Sequence, residues 1–434
     1  MSVKAIIGGW WGDEGKGKIV YDLAENADVV ARGTGGNNAG HTVYLGDDKT
    51  ALHCIPAGIV SPNTTNIIGK GMVVPLSGVY DELKGLEERG LYVRNRVLVS
   101  DKTNIILPHY AALDGILEEM MSRSGKPVGT TRKGIGPAYM FKAARADVTF
   151  GDLLDDGKLR ERLEINSAIS RRFGQSGLFG LFGLRVNPDK VRDELLSEYE
   201  RLEKYNQISN TDALLNKYVK EGKNILLEGA QGTLLSLEHG TRPYVTSSDS
   251  TLNGLCSGVG IASSLVDDVY IVFKIYPTRV GEGCMPTLMD EETNNIIVKN
   301  GEEFGATTGR KRRCGWFDTV AARYSSRVNG ATNMVLTRLD ILDNYPEVCI
   351  CTGYELPDGS RLGPDEFPTN TRILEQCNPL YETMPGWEKT KDIREYDKLP
   401  KEARNYIERL ESLVGLPATM LSNGPKRHEL IYKS

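Results

Sequence analysis

The most informative stretch of this 434-residue chain is Val3-Lys-Ala-Ile-Ile-Gly8, together with the loop Gly12-Asp-Glu-Gly-Lys-Gly-Lys18. The first segment is a short apolar run ending in glycine, which is typical of a buried β-strand. Residues 16–24 then have the pattern of a helix start. A strand, a glycine-rich loop and a helix in this order indicate a nucleotide-binding α/β unit.

Further apolar runs of strand length recur along the chain, separated by stretches of helical pattern. Strands that alternate with helices favour a parallel sheet covered by helices. We therefore predict an α/β fold with a large, mostly parallel central sheet, a P-loop-like nucleotide site and helical insertions. We take residues 1–434 as a single domain with a helical insertion near 152–220. The other predicted strands are 27–32, 66–74, 224–228, 268–276 and 334–339, and the other predicted helices are 80–89 and 400–414.

Composition argues against several classes of protein. The net charge is −5, so no global basic field attracts nucleic acid. The seven cysteines are odd in number and scattered, so neither a disulfide framework nor a zinc cluster is expected. We see neither a secretory leader nor an apolar run of membrane-spanning length, and we expect a cytoplasmic location.

The loop at residues 12–18 fits the pattern G-x-x-x-x-G-K of a P-loop. The following residue is Ile19, so the hydroxyl that normally binds Mg²⁺ is missing. Small residues still let backbone N–H groups converge on phosphates at the start of a helix. Asp13 is unusual beside a polyphosphate, and it is a candidate base or Mg²⁺ ligand. The alternative is a solvated acidic turn.

Five more loops carry groups that suit phosphates or nucleobases. Loop 35–42 offers amides and a histidine, loop 129–137 offers hydroxyls and two cations, and loop 229–233 follows a predicted strand. Loop 305–313 ends in four consecutive cations, which suit a small carboxylate or phosphate. Residues 336–340 resemble the base-reading motif of GTPases, in which a carboxylate accepts two hydrogen bonds from guanine.

Each of these loops alone also fits an ordinary turn or a solvated surface segment, and the cations of loop 305–313 also fit a nucleic-acid patch. Together they form several anion-binding loops without a nucleophile triad or a metal cluster. That combination indicates phosphoryl transfer between small molecules, where positioning and electrostatics supply most of the catalysis.

The combined motifs resemble those of the adenylosuccinate synthetase family. They occur in the family's order and at about its spacings, from residue 3 to near the C-terminus. The matching segments are Trp11-Gly-Asp-Glu-Gly-Lys-Gly-Lys18, Asn38-Ala-Gly-His-Thr42, Gly134-Ile-Gly-Pro-Ala-Tyr139, Glu228-Gly-Ala-Gln-Gly-Thr-Leu-Leu235, Tyr244-Val-Thr-Ser-Ser248 and Gly305-Ala-Thr-Thr-Gly-Arg310.

The resemblance implies a GTP-dependent ligation of IMP and L-aspartate to adenylosuccinate, through 6-phosphoryl-IMP. Asp13 would take the N1 proton of IMP and later bind Mg²⁺, together with the Gly40 carbonyl. His41 would donate a hydrogen bond to the transferring phosphoryl group. Gln231 completes the implied catalytic set.

The resemblance also implies the binding residues. For GTP they are Gly12, Glu14, Gly15, Lys16, Gly17, Lys18, Gly40, Thr42, Arg312, Arg338, Asp340, Ser422 and Gly424. For IMP they are Asp13, Asn38, Thr131, Arg145, Gln231, Thr246 and Arg310, and for aspartate they are Thr307, Thr308, Arg310 and Arg312. Arg145 would reach across from a second subunit, so the resemblance implies a homodimer with shared sites.

The chain departs from the family's usual pattern at four positions. Trp10 stands where Gln is usual, Arg132 where Gly is usual, Phe141 where Asp is usual and Arg338 where Lys is usual. Trp10 and Arg132 could alter the purine pocket. The planar group of Arg338 can still stack on a base, so guanine remains favoured through Asp340, with ATP as the alternative nucleotide.

Three alternatives stay open at this stage. A related viral branch uses dGMP in place of IMP, although retention of Asp13 favours IMP here. The second alternative is a GTP-binding regulator that kept the loops and lost catalysis. A nucleic-acid-binding role would rest on residues 310–313, against the acidic pI.

Overall fold

The structure is a computed structural model that describes residues 2–46, 48–125, 127–175, 186–305 and 309–433. The α-helices of these residues are α1 Lys16–Leu23, α2 Leu76–Glu88, α3 Tyr110–Arg123, α4 Ile135–Ala143, α5 Asp156–Gln175, α6 Pro188–Leu202, α7 Thr211–Lys220, α8 Leu252–Val259, α9 Glu291–Gly301, α10 Thr319–Asn329, α11 Thr371–Leu374 and α12 Lys401–Val414.

The strands are β1 Val3–Gly8, β2 Val29–Arg32, β3 His41–Leu45, β4 Asp48–Leu52, β5 Thr65–Ile68, β6 Val73–Val74, β7 Val97–Ser100, β8 Asn104–Ile105, β9 Asn206–Ser209, β10 Ile225–Glu228, β11 Asp268–Lys274, β12 Thr278–Arg279, β13 Arg313–Cys314, β14 Phe317–Asp318, β15 Asn333–Thr337, β16 Glu347–Glu355, β17 Arg361–Leu362, β18 Asn378–Pro385, β19 Ala418–Ser422 and β20 Leu430–Tyr432.

A ten-stranded sheet forms the centre, in the order β20-β19-β15-β11-β1-β10-β2-β5-β7-β9. All neighbouring pairs are parallel except β19 and β20, which are antiparallel. The predicted α/β fold with a mostly parallel sheet is therefore confirmed. No helix of the described ranges has the length and apolar character needed to cross a membrane.

Strand β1 shows why the sequence forms this sheet. Its residues are buried on both faces, which explains the continuous apolar run. Val3, Ala5 and Ile7 pack in one apolar cluster, whereas Ile6 packs in another on the opposite face. This is the two-residue alternation of a strand, and it places β1 between two layers of helices.

One sequence prediction about the sheet was wrong, and one strand was not predicted. The apolar run 66–74 is not one strand, because the chain turns after β5 and enters β6, which pairs with β8 in a separate sheet. The turn needs glycine, since a Cβ on Gly71 would lie 2.0 Å from the Gly33 carbonyl oxygen. The segment 152–220 is not purely helical either, because β9 lies within it and extends the central sheet beside β7.

The carboxyl ends of β1, β2, β10, β11 and β15 open onto one edge of the sheet, because these strands are parallel neighbours. In open parallel sheets, ligands bind at this edge. The predicted loops at residues 12–18, 35–42, 229–233 and 336–340 follow four of these strands. The fold thus brings segments that are hundreds of residues apart in sequence to one place.

Candidate active site

A cavity of about 700 Å³ lies at this edge. It brings together most of the residues that the sequence analysis assigned to nucleotides, IMP, aspartate and metal. The assigned residues that line it are Gly12, Asp13, Glu14, Gly15, Lys16, Gly17, Lys18, Asn38, Gly40, His41, Thr42, Thr131, Gln231, Thr246, Arg310, Arg312, Arg338, Asp340, Ser422 and Gly424.

Three assigned residues stand apart. Thr307 and Thr308 lie outside the described residues. Arg145 does not line the cavity; it is exposed, two residues beyond the end of α4, whose first turn does line the cavity. Nine residues of helix span about 14 Å, so α4 separates Arg145 from the turn that lines the cavity.

The fully buried Glu14 stabilises the conformation of the glycine-rich loop. Its Oε1 accepts hydrogen bonds from the backbone N–H groups of Trp10 at 3.0 Å and Gly12 at 2.9 Å. Its Oε2 pairs with the Lys16 ammonium at 2.6 Å. The Glu14 carboxylate is thus engaged within the loop itself. Helix α1 begins directly after Gly15, whose φ of 89° is in the left-handed region.

Lys18 binds a distant segment of the chain. Its ammonium donates to Ser422 Oγ at 2.8 Å and to the carbonyls of Gly424 and Glu429, each at 2.7 Å. Burial lowers the pKa of Lys18 to about 7. Lys18 therefore joins the glycine-rich loop to the C-terminal segment that the resemblance assigns to guanine.

Asp13 is paired with Arg312 in this structure. Arg312 donates from Nε at 2.9 Å and from Nη2 at 2.7 Å, and both contacts fall on Asp13 Oδ2. Asp13 has a φ of 62°, in the left-handed region that an L-residue rarely adopts. The loop backbone thus holds the carboxylate in the cavity, beside the cations of loop 305–313.

Glu303 binds the other side of Arg312, and the sequence analysis did not single it out. It is fully buried and accepts from Arg312 Nη1 at 2.5 Å and from the Tyr276 hydroxyl at 2.8 Å. The Lys274 ammonium lies 3.1 Å from its Oε1 and 2.9 Å from its Oε2. Arg338 Nη2 lies 3.6 Å from Oε1. Burial alone would raise the pKa of Glu303, but the charges of Lys274, Arg338 and Arg312 hold it at about 2.

His41 also lines the cavity. Its Nδ1 bonds to the fully buried Glu228, whose other oxygen accepts from the Ala57 N–H at 2.7 Å. Burial lowers the pKa of His41, against the opposing effect of Glu228. The buried Nε2 has no partner among the described residues, which is an arrangement suited to a ligand in the cavity.

A chain of amides lies next to His41. Gln231 Nε2 donates to Asn38 Oδ1 at 3.1 Å, and Asn38 Nδ2 lies 3.5 Å from Thr246 Oγ1. Gln231 has a φ of 55°, and its buried Oε1 has no partner within the described residues. Three loops far apart in sequence thus supply one row of donors and acceptors.

The base-reading motif lies at the end of β15. Arg338 has a φ of 68° and donates from Nη2 to the Gly301 carbonyl at 2.7 Å. Burial raises the pKa of Asp340. Its Oδ1 is buried without a hydrogen-bond partner in the part of the chain that the structure describes. Such an acceptor is what a guanine N–H would require.

Loops 129–137 and 305–313 touch each other at the rim of the cavity, where Arg310 Nη2 donates to the Gly129 carbonyl at 3.0 Å. Thr131 lies two residues further along and lines the cavity. The two cation-rich loops predicted from sequence therefore belong to one site.

The departures from the family's pattern lie mostly outside the cavity. Trp10 is fully buried, packs on Phe273 with ring centroids 4.6 Å apart and donates from its indole N–H to the Lys274 carbonyl at 3.0 Å. Phe141 stacks on Tyr110 in the core. Arg132 is exposed. The Trp10 side chain therefore does not line the cavity, because it points into the core.

Sequence reasoning missed the partners of the functional groups. The missed partners are two buried carboxylates, Glu228 and Glu303, and one buried ammonium group, Lys274. Each lies next to a predicted site residue. Glu228 and Lys274 each end a strand of the sheet, so a charged residue closing an apolar run was an available signal. Glu303 had no such signal.

Comparison with known proteins agrees with this geometry. The family profile of adenylosuccinate synthetase matches residues 5–431. An adenylosuccinate synthetase of Heliobacterium modesticaldum is 45% identical over 432 residues, covering 99% of both chains. One from Bifidobacterium longum subsp. infantis is 42% identical over 428 residues, covering 98% of this chain and 97% of the relative.

Solved structures extend the comparison to the fold. A fully ligated adenylosuccinate synthetase from Plasmodium falciparum superposes with a TM-score of 0.92 at 32% identity, covering 100% of both chains. A succinoaminodeoxyadenylate synthetase of cyanophage S-2L, bound to dGMP and dATP, has a TM-score of 0.61 at 18% identity, covering 99% of this chain and 95% of that one. The phage enzyme shares the fold alone. With the profile matched over nearly its whole length, this chain belongs to the adenylosuccinate synthetase family.

Proposed function

We propose that the cavity joins IMP and L-aspartate to adenylosuccinate, with GTP converted to GDP and phosphate. Family membership makes the chain a GTP-dependent carbon–nitrogen ligase of purine biosynthesis, specifically of the route to AMP. The observation that carries the assignment of residues is that Asp13, the open Nε2 of His41 and the cations Arg310 and Arg312 line one cavity.

In the first step Asp13 acts as the general base. IMP carries a proton on N1, and its O6 becomes a nucleophile only when that proton leaves. Both contacts of Arg312 fall on Asp13 Oδ2, so the N1–H would bond to Oδ1. A positioned carboxylate of this kind contributes about 10²- to 10⁴-fold to the rate.

His41 stabilises the phosphoryl group as it moves to O6. With Nδ1 bound to Glu228, a neutral ring presents Nε2 as an acceptor. Donation to a phosphate oxygen therefore requires a second proton on the ring, which the negative charge of the polyphosphate favours. The Glu228 carboxylate orients the ring and stabilises the imidazolium.

In the second step the amine of aspartate displaces phosphate from C6. Arg310 and Arg312 would hold the carboxylates of aspartate, since a guanidinium matches a carboxylate in geometry and charge. Thr307 and Thr308 are part of this proposal through the family motif alone. Arg312 must then exchange its contact with Asp13, wholly or in part, for one with the substrate.

The purines occupy different parts of the cavity in this proposal. Asn38, Gln231, Thr131 and Thr246 bind IMP, and the open Oδ1 of Asp340 accepts hydrogen bonds from guanine. Arg338, Ser422 and Gly424 surround the guanine. Gly12, Glu14, Gly15, Gly17, Lys16, Lys18, Gly40 and Thr42 form the phosphate-binding part.

Arg145 supports a homodimer. Its position outside the cavity of its own chain fits a residue that completes the IMP site of a second copy. The IMP phosphate is the group that a guanidinium would bind there. We also propose a cytoplasmic location, where nucleotides and aspartate are available.

Mg²⁺ fits the donor set of the cavity. A carboxylate from Asp13 and the carbonyl of Gly40 are hard oxygen donors, and Mg²⁺ typically takes one or two such protein ligands beside substrate phosphates. When bound, the ion would neutralise charge on the phosphates of GTP.

The test is an assay with IMP, L-aspartate, GTP and Mg²⁺, followed by the absorbance change of the succinylated purine and by GDP release. We expect product with IMP and a much lower rate with dGMP. A parallel assay with ATP in place of GTP measures the selectivity of the Asp340 site. Absence of product at every pH and with every divalent metal would refute the proposal, and a higher rate with dGMP would assign the chain the phage-type substrate.

A further inference from the structure

Glu303 lies behind the wall of the cavity and binds three cations that line it. Lys274, Arg312 and Arg338 are lining residues, whereas Glu303 itself is fully buried behind them. Its two oxygens hold different partners. Oε2 accepts from Arg312 at 2.5 Å, and Oε1 accepts from the Tyr276 hydroxyl at 2.8 Å and faces Arg338 at 3.6 Å. Lys274 contacts both.

The two arginines contact different groups of the cavity. Arg312 reaches Asp13, and Arg338 lies beside Asp340 and donates to the Gly301 carbonyl. Glu303 also joins loop 305–313 through the backbone, because the Arg312 N–H donates to the Glu303 carbonyl at 2.9 Å. The Glu303 carboxylate therefore links Arg338 of the base-reading motif to Arg312 of loop 305–313.

Electrostatic attraction opposes the separation of Glu303 from these cations. Glu303 pairs with Lys274 and Arg312 and faces Arg338. Arg312 also pairs with Asp13, and Arg338 also interacts with the charge of Asp340. Removing one partner of a buried ion network leaves uncompensated charge, which is costly. A substrate carboxylate that draws Arg312 away from Asp13 must therefore change the interaction of Arg312 with Glu303. It thereby also changes the interaction of Glu303 with Arg338.

We infer that Glu303 is a positioning residue that couples the guanine-binding end of the cavity to the aspartate-binding end. The inference rests on the proposed function and adds a residue that contacts no substrate. Occupation of one end orients the arginine of the other, so the two ligands favour each other's binding. IMP meets this network at one point, the Asp13 carboxylate that Arg312 also binds.

The test uses the full-length enzyme and its Glu303→Gln variant, which keeps shape and removes charge. We expect the KM values for aspartate and for GTP each to rise about tenfold or more, as for loss of a charge-assisted contact, and the KM for IMP, which meets the network only through Asp13, to rise less than either. Unchanged KM values for aspartate and GTP, or a fall in kcat alone, would overturn the inference.

A second measurement does not depend on turnover. Calorimetric titration with GDP, with and without succinate, reads the coupling directly, because succinate has both carboxylates of aspartate and lacks the reacting amine. We expect succinate to tighten GDP binding in the wild type and to lose this effect in Glu303→Gln. An equal effect in both proteins would overturn the coupling even if ligation occurs. A wild type that shows the effect and makes no adenylosuccinate would refute the proposed function alone.

Two further variants complete the test. Glu355→Gln makes the same change at a partly exposed pair with Arg361, on the separate sheet of β16, and all KM values should stay unchanged. If Glu303→Gln fails to fold, Tyr276→Phe removes one donor to Glu303 and leaves every charge in place. We expect it to raise the aspartate and GTP KM values together by about two- to fivefold, as for loss of one hydrogen bond, and no rise in either would contradict the inference.

Discussion

Two groups of residues that line the cavity differ in how their charges are satisfied. In the open group, His41 and Gln231 present a buried ring nitrogen and a buried amide oxygen without partners among the described residues. In the paired group, Asp13 and Arg312 already bind each other, and Glu303 binds Arg312 from behind the cavity wall. The open group is ready for a ligand, whereas the paired group must exchange an internal ion pair for contacts with substrate.

This difference has a mechanistic consequence. Unpartnered buried polar atoms cost free energy in the empty protein, and a ligand recovers it on binding. A paired aspartate and arginine cost little when empty, but a ligand has to compete with that pair. We therefore expect substitutions in the open group to affect both nucleotide binding and turnover, and substitutions in the paired group to affect mainly turnover.

The largest expected effect on kcat comes from the paired group, at Asp13. Asp13→Ala removes the base, so kcat should fall by about 10³-fold, while calorimetry should still detect IMP and GDP binding. Asp13→Asn is the matched variant that keeps size and loses the charge, and it should be equally inactive. A rate within tenfold of the wild type would show that N1 is deprotonated by another group.

The next largest effect on kcat comes from the open group, through the carboxylate that binds His41. Glu228→Gln leaves His41 without the carboxylate that orients it and stabilises its imidazolium, so kcat should fall about 10- to 100-fold. The melting temperature should be measured alongside, because Glu228 also binds the Ala57 N–H. A normal kcat in a folded variant would mean that His41 acts without its carboxylate.

Protonation of His41 supplies a smaller, pH-dependent effect. Burial lowers its pKa in the empty enzyme, so the ring is neutral at pH 7 and must take up a proton when the polyphosphate binds. Between the pKa of the empty enzyme and the higher pKa of the complex, affinity for GTP should fall as pH rises, by at most about tenfold per pH unit. Calorimetry in buffers of different ionisation enthalpy should show proton uptake in the wild type.

The matched control for this measurement is His41→Asn, which subtracts the protons carried by the nucleotide itself. The uptake should disappear in that variant. The same uptake in both proteins would place the proton on GTP or on another residue.

The smallest expected change in activity is a partial recovery that involves Arg145, which belongs to neither group and does not line the cavity of its own chain. Arg145→Leu and Asp13→Ala should each be inactive alone. If two subunits share each site, a mixture allowed to exchange subunits should regain about a quarter of wild-type activity, because half the dimers are mixed and each holds one intact site. No recovery after confirmed exchange would exclude a shared site.

Much of the fold was predictable because its signals are local. The run Val3–Gly8 is apolar throughout since β1 is buried on both faces, and the glycine-rich loop that follows needs left-handed backbone at Gly12 and Gly15. The wrong strand prediction and the missed strand have local causes too. A turn at Gly71 divides one apolar run, and β9 is too short to show a periodic pattern.

The sequence by itself determined the strand–loop–helix unit, the order of the motifs and the chemical types at the candidate site. The tertiary structure alone decided which charges meet. Arg312 binds Asp13 across 299 residues, and Lys18 binds Ser422 across 404, and no local pattern encodes such pairs. It also decided that Trp10 faces the core. The physical reason is that periodicity reports which side of an element is buried, whereas the partners of a buried charge depend on how distant elements pack.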